Sequence, residues 1–295
     1  MPVAKVLLAS VPFLVPLALP AQKAETAFEW AKRNVKICYE SLPVGTHSVA
    51  ELQPGAPWRL GATHDASTWQ PSMPILVGDT WLAPGHYRVN LQREDESKVV
   101  LVADGSGDAV GGGTGVRVPG KLGKTQKPAK KLAIEFAKAG APVGGNQPAQ
   151  VVLQFGADEW RGDLLVLGGK TVSLPGGKLS VFSVPAANME KGAVPIATWA
   201  TGKDAEGSWN IVLDGEKVRF VPWMRAPKTI EDKVEAPDSA KIVEGKVARL
   251  DTKIEKPFEA LELQEATMAK GEMRLVIAFA SSSLECRLPD PKAKK

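Results

Sequence analysis

The stretch "WNIVLDGEKVRF" (209–220) decides the fold class. Trp209, Ile211 and Leu213 fall on one side of a period-two pattern. Asp214-Gly215 follows, and then Val218 and Phe220 resume the alternation. Apolar alternation on both sides of an Asp-Gly pair is the signature of a β-hairpin. The same short period recurs along the chain. "HYRVNL" sets Tyr87, Val89 and Leu91 against His86, Arg88 and Asn90. "KLAIEF" aligns Leu132, Ile134 and Phe136, "VVLQF" aligns Val151, Leu153 and Phe155, and "MRLVIAF" aligns Leu275, Ile277 and Phe279. Long helical periodicity is missing, and Gly and Pro punctuate the runs. The expectation is an all-β protein of antiparallel, sandwich- or barrel-like units. One local exception is "AETAFEWAKRN" (24–34), whose Ala, Glu and Lys favour a short helix.

Two echoes suggest that the β pattern occurs twice. "LVGDTWLAPGHYRV" (76–89) resembles "LGGKTVSLPGGKLSV" (167–181), each reading strand, Gly turn, strand, Pro-Gly, strand. Further on, "LAIEF…AQVVLQFGADEWRGDLLV" follows the plan of "ALELQEATMAKGEMRLVIAFASSSLECRL". We read two related units in tandem, 28–166 and 167–289, followed by a basic tail at 290–295. A single large sandwich is the rival arrangement. Residues 104–131, Gly-rich and then Lys-rich, read as a flexible basic loop inside the first unit.

The chain opens "MPVAKVLLASVPFLVPLALPAQ". Lys5, the apolar run 6–19 and the small Ala21 are laid out as a secretory signal peptide (1–21) cleaved near Ala21. The run is shorter than the roughly 20 residues of a membrane span. The expected product is an exported protein, periplasmic or extracellular, with no transmembrane segment. Loss of Lys5 lowers the formal charge from +4 to +3, too little to argue for nucleic-acid binding. In an oxidising compartment Cys38 and Cys286 could pair. Cys38, however, lies opposite the apolar face formed by Val35, Ile37 and Tyr39, whereas Cys286 shares one with Leu284 and Leu288. A disulfide and two separate thiols both remain open.

Several motifs imitate chemistry. "GVRVPGKL" (115–122) fits a phosphate-loop spacing but ends in Leu122 instead of a hydroxyl residue, so it reads as basic loop. Arg161-Gly162-Asp163 is a tripeptide common by chance. No G-x-S-x-G occurs. Eight tryptophans stand against two tyrosines. They read as core residues whose indole N–H groups find partners, with stacking on a flat ligand as the rival. The three histidines, His47, His64 and His86, all fall in the first unit. If their loops converge, His64, Asp65 and His86, with His47 or Glu51 nearby, could ligate a divalent metal. Surface histidines at turns are the plainer reading, and no cofactor is expected.

"VKICYESLPVG" (35–45) followed by "PWRLGATHDASTWQPSMPILVGDTWLAPGHYRV" (57–89) resembles the domain-of-unknown-function 2911 family. That family shows a "W-R-x-G-A-N-x-x-T" motif and then "l-P-A-G-x-Y". Trp58, Arg59, Gly61, Ala62, Thr68, Ala83, Pro84, Gly85 and Tyr87 carry the likeness. Thr63-His64 departs from the family's Asn-Glu. The resemblance implies exported β-rich proteins without an established activity. The leading functional expectation is therefore a non-catalytic binding or structural module of the cell envelope, with Arg59 as a structural anchor. The alternatives are a metal-assisted hydrolase using His64, Asp65 and His86, and a binder of an acidic envelope polymer through the basic loop.

Overall fold

The computed structural model describes residues 22–44, 49, 52–55, 57–58, 60, 67–95, 98–104, 116–202, 208–223 and 241–292. These residues form two antiparallel sheets, so the all-β expectation holds. The first contains β1 (Gln22–Trp30), β2 (Arg33–Ser41), β3 (Pro57–Trp58), β4 (Thr68–Pro71), β5 (Ile75–Val77), β6 (Thr80–Leu82), β7 (Tyr87–Arg93), β8 (Val99–Asp104), β9 (Val116–Lys138) and β10 (Gln147–Val166). Their order is β1-β2-β4-β7-β8-β9-β10-β5-β6, with β3 added to β7. The second contains β11 (Gly169–Leu174), β12 (Gly177–Phe182), β13 (Val194–Ala200), β14 (Ser208–Asp214), β15 (Lys217–Pro222), β16 (Val243–Leu250), β17 (Phe258–Ala269), β18 (Glu272–Ala280) and β19 (Ser282–Pro289). Its order is β11-β12-β13-β14-β15-β16-β19-β18-β17.

The deciding hairpin is β14–β15. It is closed by the pair Asp214↔Lys217, and Gly215 sits at φ +61°. Each sheet also turns back on itself. After β2 the chain lies along β9, where Val44 N–H donates to Lys130 O (3.0 Å) and Leu132 N–H donates to Leu42 O (2.7 Å). After β12 the chain lies along β17, where Leu261 N–H donates to Val184 O (2.7 Å). These contacts satisfy backbone groups that an open sheet edge would leave to solvent.

Two expectations are corrected. The segment 24–34 is not helical. β1 and β2 form a hairpin whose turn is Ala31-Lys32, with φ of 51° and 61°. The alternation of Ala24, Thr26 and Phe28 toward the interior outweighs a weak helical propensity. The basic stretch 116–131 is not a loop but the first two thirds of β9, paired to β8 and β10. Residues 105–115 of the same expectation lie outside the described residues.

The reason for the strand is Trp160 on β10, which is fully buried and donates its indole N–H to Val99 O (2.9 Å). Its ring lies over Gly120 and Gly162, which are directly opposite each other on β9 and β10. A Cβ at Gly120 would meet the ring at 2.1 Å, and one at Gly162 at 2.5 Å. Those glycines are small because an indole occupies their side-chain space. This packing accounts for the second glycine of the phosphate-loop resemblance, Gly120, and for the glycine of Arg-Gly-Asp, Gly162.

β9 also bulges. It uses four residues (Ala133 to Ala129) where β10 uses two (Gln154 to Gly156), and then five (Ala129 to Lys124) where β10 again uses two (Gly156 to Asp158). Extra residues in one strand bend it and push them outward.

A continuous cluster of buried apolar side chains runs through both sheets. Polar ties reinforce the junction. Asn146, in the β9–β10 turn, accepts from Gly168 N–H (2.9 Å) and donates to Ser183 O (2.8 Å). Arg33, beside the β1–β2 turn, donates to Thr171 Oγ1 (2.7 Å) and lies 5.2 Å from the centre of the Phe182 ring. Burial lowers the Arg33 pKa below its ordinary value.

Candidate functional site

The "LAPGHY" half of the signature forms the corner between β6 and β7. Tyr87 is buried, and its hydroxyl donates to Ala83 O (2.8 Å), four residues back. Burial pushes its phenol far above the ordinary range. Gly85 N–H donates to Pro71 O (3.0 Å), and Pro84 O accepts from Asn210 Nδ2 of β14 (2.8 Å). The corner thus holds the first sheet together and fastens it to the second. His86 is half-buried there, and burial lowers its pKa.

The "PWRLGATHDASTW" half is described at its ends. Trp58, half-buried, pairs with Leu91 of β7, and its ring lies 5.0 Å from that of Phe155 of β10. Leu60 is fully buried at φ 52°. Its carbonyl accepts from Ser67 Oγ (3.1 Å) and Glu40 N–H (3.4 Å). Trp69 is buried against Phe136, with ring centres 6.4 Å apart. Arg59, Gly61, Ala62, His64 and Asp65, together with His47 and Glu51, lie outside the described residues. Of the proposed metal set, His86 alone is placed. Among the described residues no group of three or more His, Cys, Asp or Glu side chains is arranged to hold a metal ion.

The cysteines are free thiols on different sheets, Cys38 half-buried on β2 and Cys286 buried on β19. Burial pushes the Cys286 thiol up to about 12. It also raises Cys38, against the opposing pull of Lys36. A thiol held protonated is a poor nucleophile.

The tryptophans divide. Trp160 and Trp30 donate their indole N–H groups, Trp30 to Gly145 O (3.0 Å). Trp69, Trp81, Trp199 and Trp223 have buried indole nitrogens without a hydrogen-bond partner. Burial is as expected for Trp69, Trp81, Trp160 and Trp199, but universal N–H pairing is not. A buried donor without an acceptor costs about 1–3 kcal/mol.

Asp158 was not singled out in the sequence. It is 1 % exposed, accepts from Val49 N–H through Oδ2 (2.8 Å), and pairs with Lys124 through Oδ1. A sequence signal for it exists. The inward positions of β10 are odd-numbered through Phe155 and even-numbered from Asp158 and Trp160 onward, a phase slip that places an acid inside.

An open groove of about 740 Å³ lies beside β17, lined by Lys253, Glu255, Lys256, Glu259 and Glu262 among others. Its charges are mixed. Among the described residues no helix is long and apolar enough to cross a membrane. No protein-family model, no curated protein and no solved structure matches the chain, so the family resemblance rests on the quoted motif alone.

Proposed function

We propose that the protein is an exported, non-catalytic β protein that serves the cell envelope as a binding or structural module. One observation carries this reading: buried polar side chains hold backbone. Asp158 holds Val49, Asn146 holds Gly168 and Ser183, Asn210 holds Pro84, Tyr87 holds Ala83 and Trp160 holds Val99. Such groups fix one conformation and leave little freedom to rearrange around a reacting substrate. The leader-like first 21 residues support export.

Purified protein tests it against the metal-assisted alternative. The expected result is no stoichiometric metal and no thermal shift with zinc, manganese or calcium. One bound metal per chain, lost together with a hydrolytic activity in His64→Ala, would overturn the reading. Amino-terminal sequencing of the mature protein should begin near Gln22. A mature chain that retains Lys5 in the cytoplasm would remove the export part.

A further inference from the structure

We propose that residues 121–131 of β9, which include the outer part of its bulge and the paired residues beside it, are a docking surface for an extended acidic polymer carrying repeated phosphate or carboxylate groups. The proposal rests on the reading of an exported binding module and supplies that module's ligand class.

The charge is concentrated. β9 holds seven basic residues and one acidic residue, an excess of six, against an excess of four for the whole chain. The rest of the protein is therefore slightly acidic, and the positive field belongs to one strand.

The backbone of the segment is held while its side chains project. Thr125 Oγ1 accepts from Lys127 N–H (3.2 Å), and Lys130 O and Leu132 N–H bond to the chain after β2. Asp158 fixes Lys124 at the start of the bulge. Lys131 donates to Gln22 (3.0 Å). Lys121, Lys127 and Lys130 are exposed, and among the described residues none has an acidic partner. Lys121 stands directly opposite Arg161, itself paired with Glu159 (2.6 Å). A fixed backbone lowers the ordering cost of binding, and unpaired ammonium groups are free to meet new anions.

The side chains also select the ligand class. Lysine is a point charge without the planar fork of arginine, suited to a polymer whose charges need no single orientation. The segment contains no aromatic residue on which bases could stack, which disfavours single-stranded nucleic acid. Insertion into a membrane surface would use exposed apolar side chains beside the lysines. The large exposed apolar residue among the described ones is Val143, at the far β9–β10 tip.

The test uses the full mature chain with two probes, long-chain inorganic polyphosphate and polyglutamate, followed by fluorescence anisotropy at low and moderate salt. Wild type should bind at least one probe, more weakly as salt rises. Lys121→Gln/Lys127→Gln/Lys130→Gln should lose about tenfold or more in affinity, with a salt slope shallower by about two to three. Lys246→Gln/Lys253→Gln/Lys256→Gln, the same charge change on β16 and the β16–β17 connection, should lose less than about twofold. If the first variant melts early, the single Lys127→Gln change decides, with an expected loss of about twofold to threefold. The proposal is overturned if wild type binds neither probe or if both triple variants lose equally. It is also overturned if vesicles of anionic lipid bind more tightly than either polymer. None of these results touches the non-catalytic reading, which the metal and activity measurements test separately.

Discussion

Both sheets stack a tryptophan on glycine, and they do so differently. In the first, Trp160 of β10 covers Gly120 across the ladder and Gly162 on its own strand, and its N–H is bonded to Val99 O. In the second, Trp199 of β13 covers Gly177 of β12, where a Cβ would lie 2.9 Å from the ring and 2.5 Å from Ala200 O, and its N–H has no partner. The first arrangement turns a loop-like sequence into the centre of a sheet. The second trims the end of a hairpin whose turn is already specified by Pro175 and by Gly176 at φ +89°. Glycine beneath an indole is therefore a fold determinant in one sheet and a fitting detail in the other.

The largest expected effect breaks the first stack. Gly120→Ala places a methyl inside the Trp160 ring and should cost about 3 kcal/mol or more, a fall in melting temperature of roughly ten degrees. Addition of Trp160→Leu should return part of that loss, as a double-mutant cycle would show. A middle-sized effect compares the indoles. Trp160→Phe removes a satisfied buried hydrogen bond, whereas Trp199→Phe removes an unsatisfied donor. The first should be the more destabilising by about 1–2 kcal/mol in urea titration. The smallest effect is at Gly123, three residues along the same strand, where a Cβ meets nothing closer than Glu159 O at 3.9 Å. Gly123→Ala should change stability by less than about 0.5 kcal/mol. Equal costs at Gly120 and Gly123 would mean that strand propensity, not the indole, explains the glycines.

Much of the fold was legible because it is local. The 209–220 hairpin, the β7 run and the strand beginning near Met273 all follow from alternation alone. The change of sheet falls between Val166 and Gly169, where the echoes divide the sequence. The echoes themselves misled in detail. Pro175-Gly176 turns a hairpin between adjacent strands, but Pro84-Gly85 carries the chain from β6 at one edge of the sheet to β7 in its middle. The second echo compares a single 20-residue strand, β10, with the two strands β18 and β19. What was illegible depends on distant partners. Nothing near Gly120 announces Trp160, and nothing near Ala24 announces the sheet that draws the 24–34 segment into a hairpin. Of the candidate site, the Pro84–Tyr87 corner was legible as a Pro-Gly turn before an alternating run, but its tie to Asn210 was not, because the partner lies 126 residues away.

The central claim is that the Gly- and Lys-rich stretch is an ordered strand on which both the first sheet and the lysine surface depend. Amide hydrogen exchange across 116–123 tests it most directly. The account predicts protection of the β9 amides that pair with β8 and β10, comparable to that of β10 at Trp160. Exchange there at the rate of unstructured chain, with β10 still protected, would contradict it.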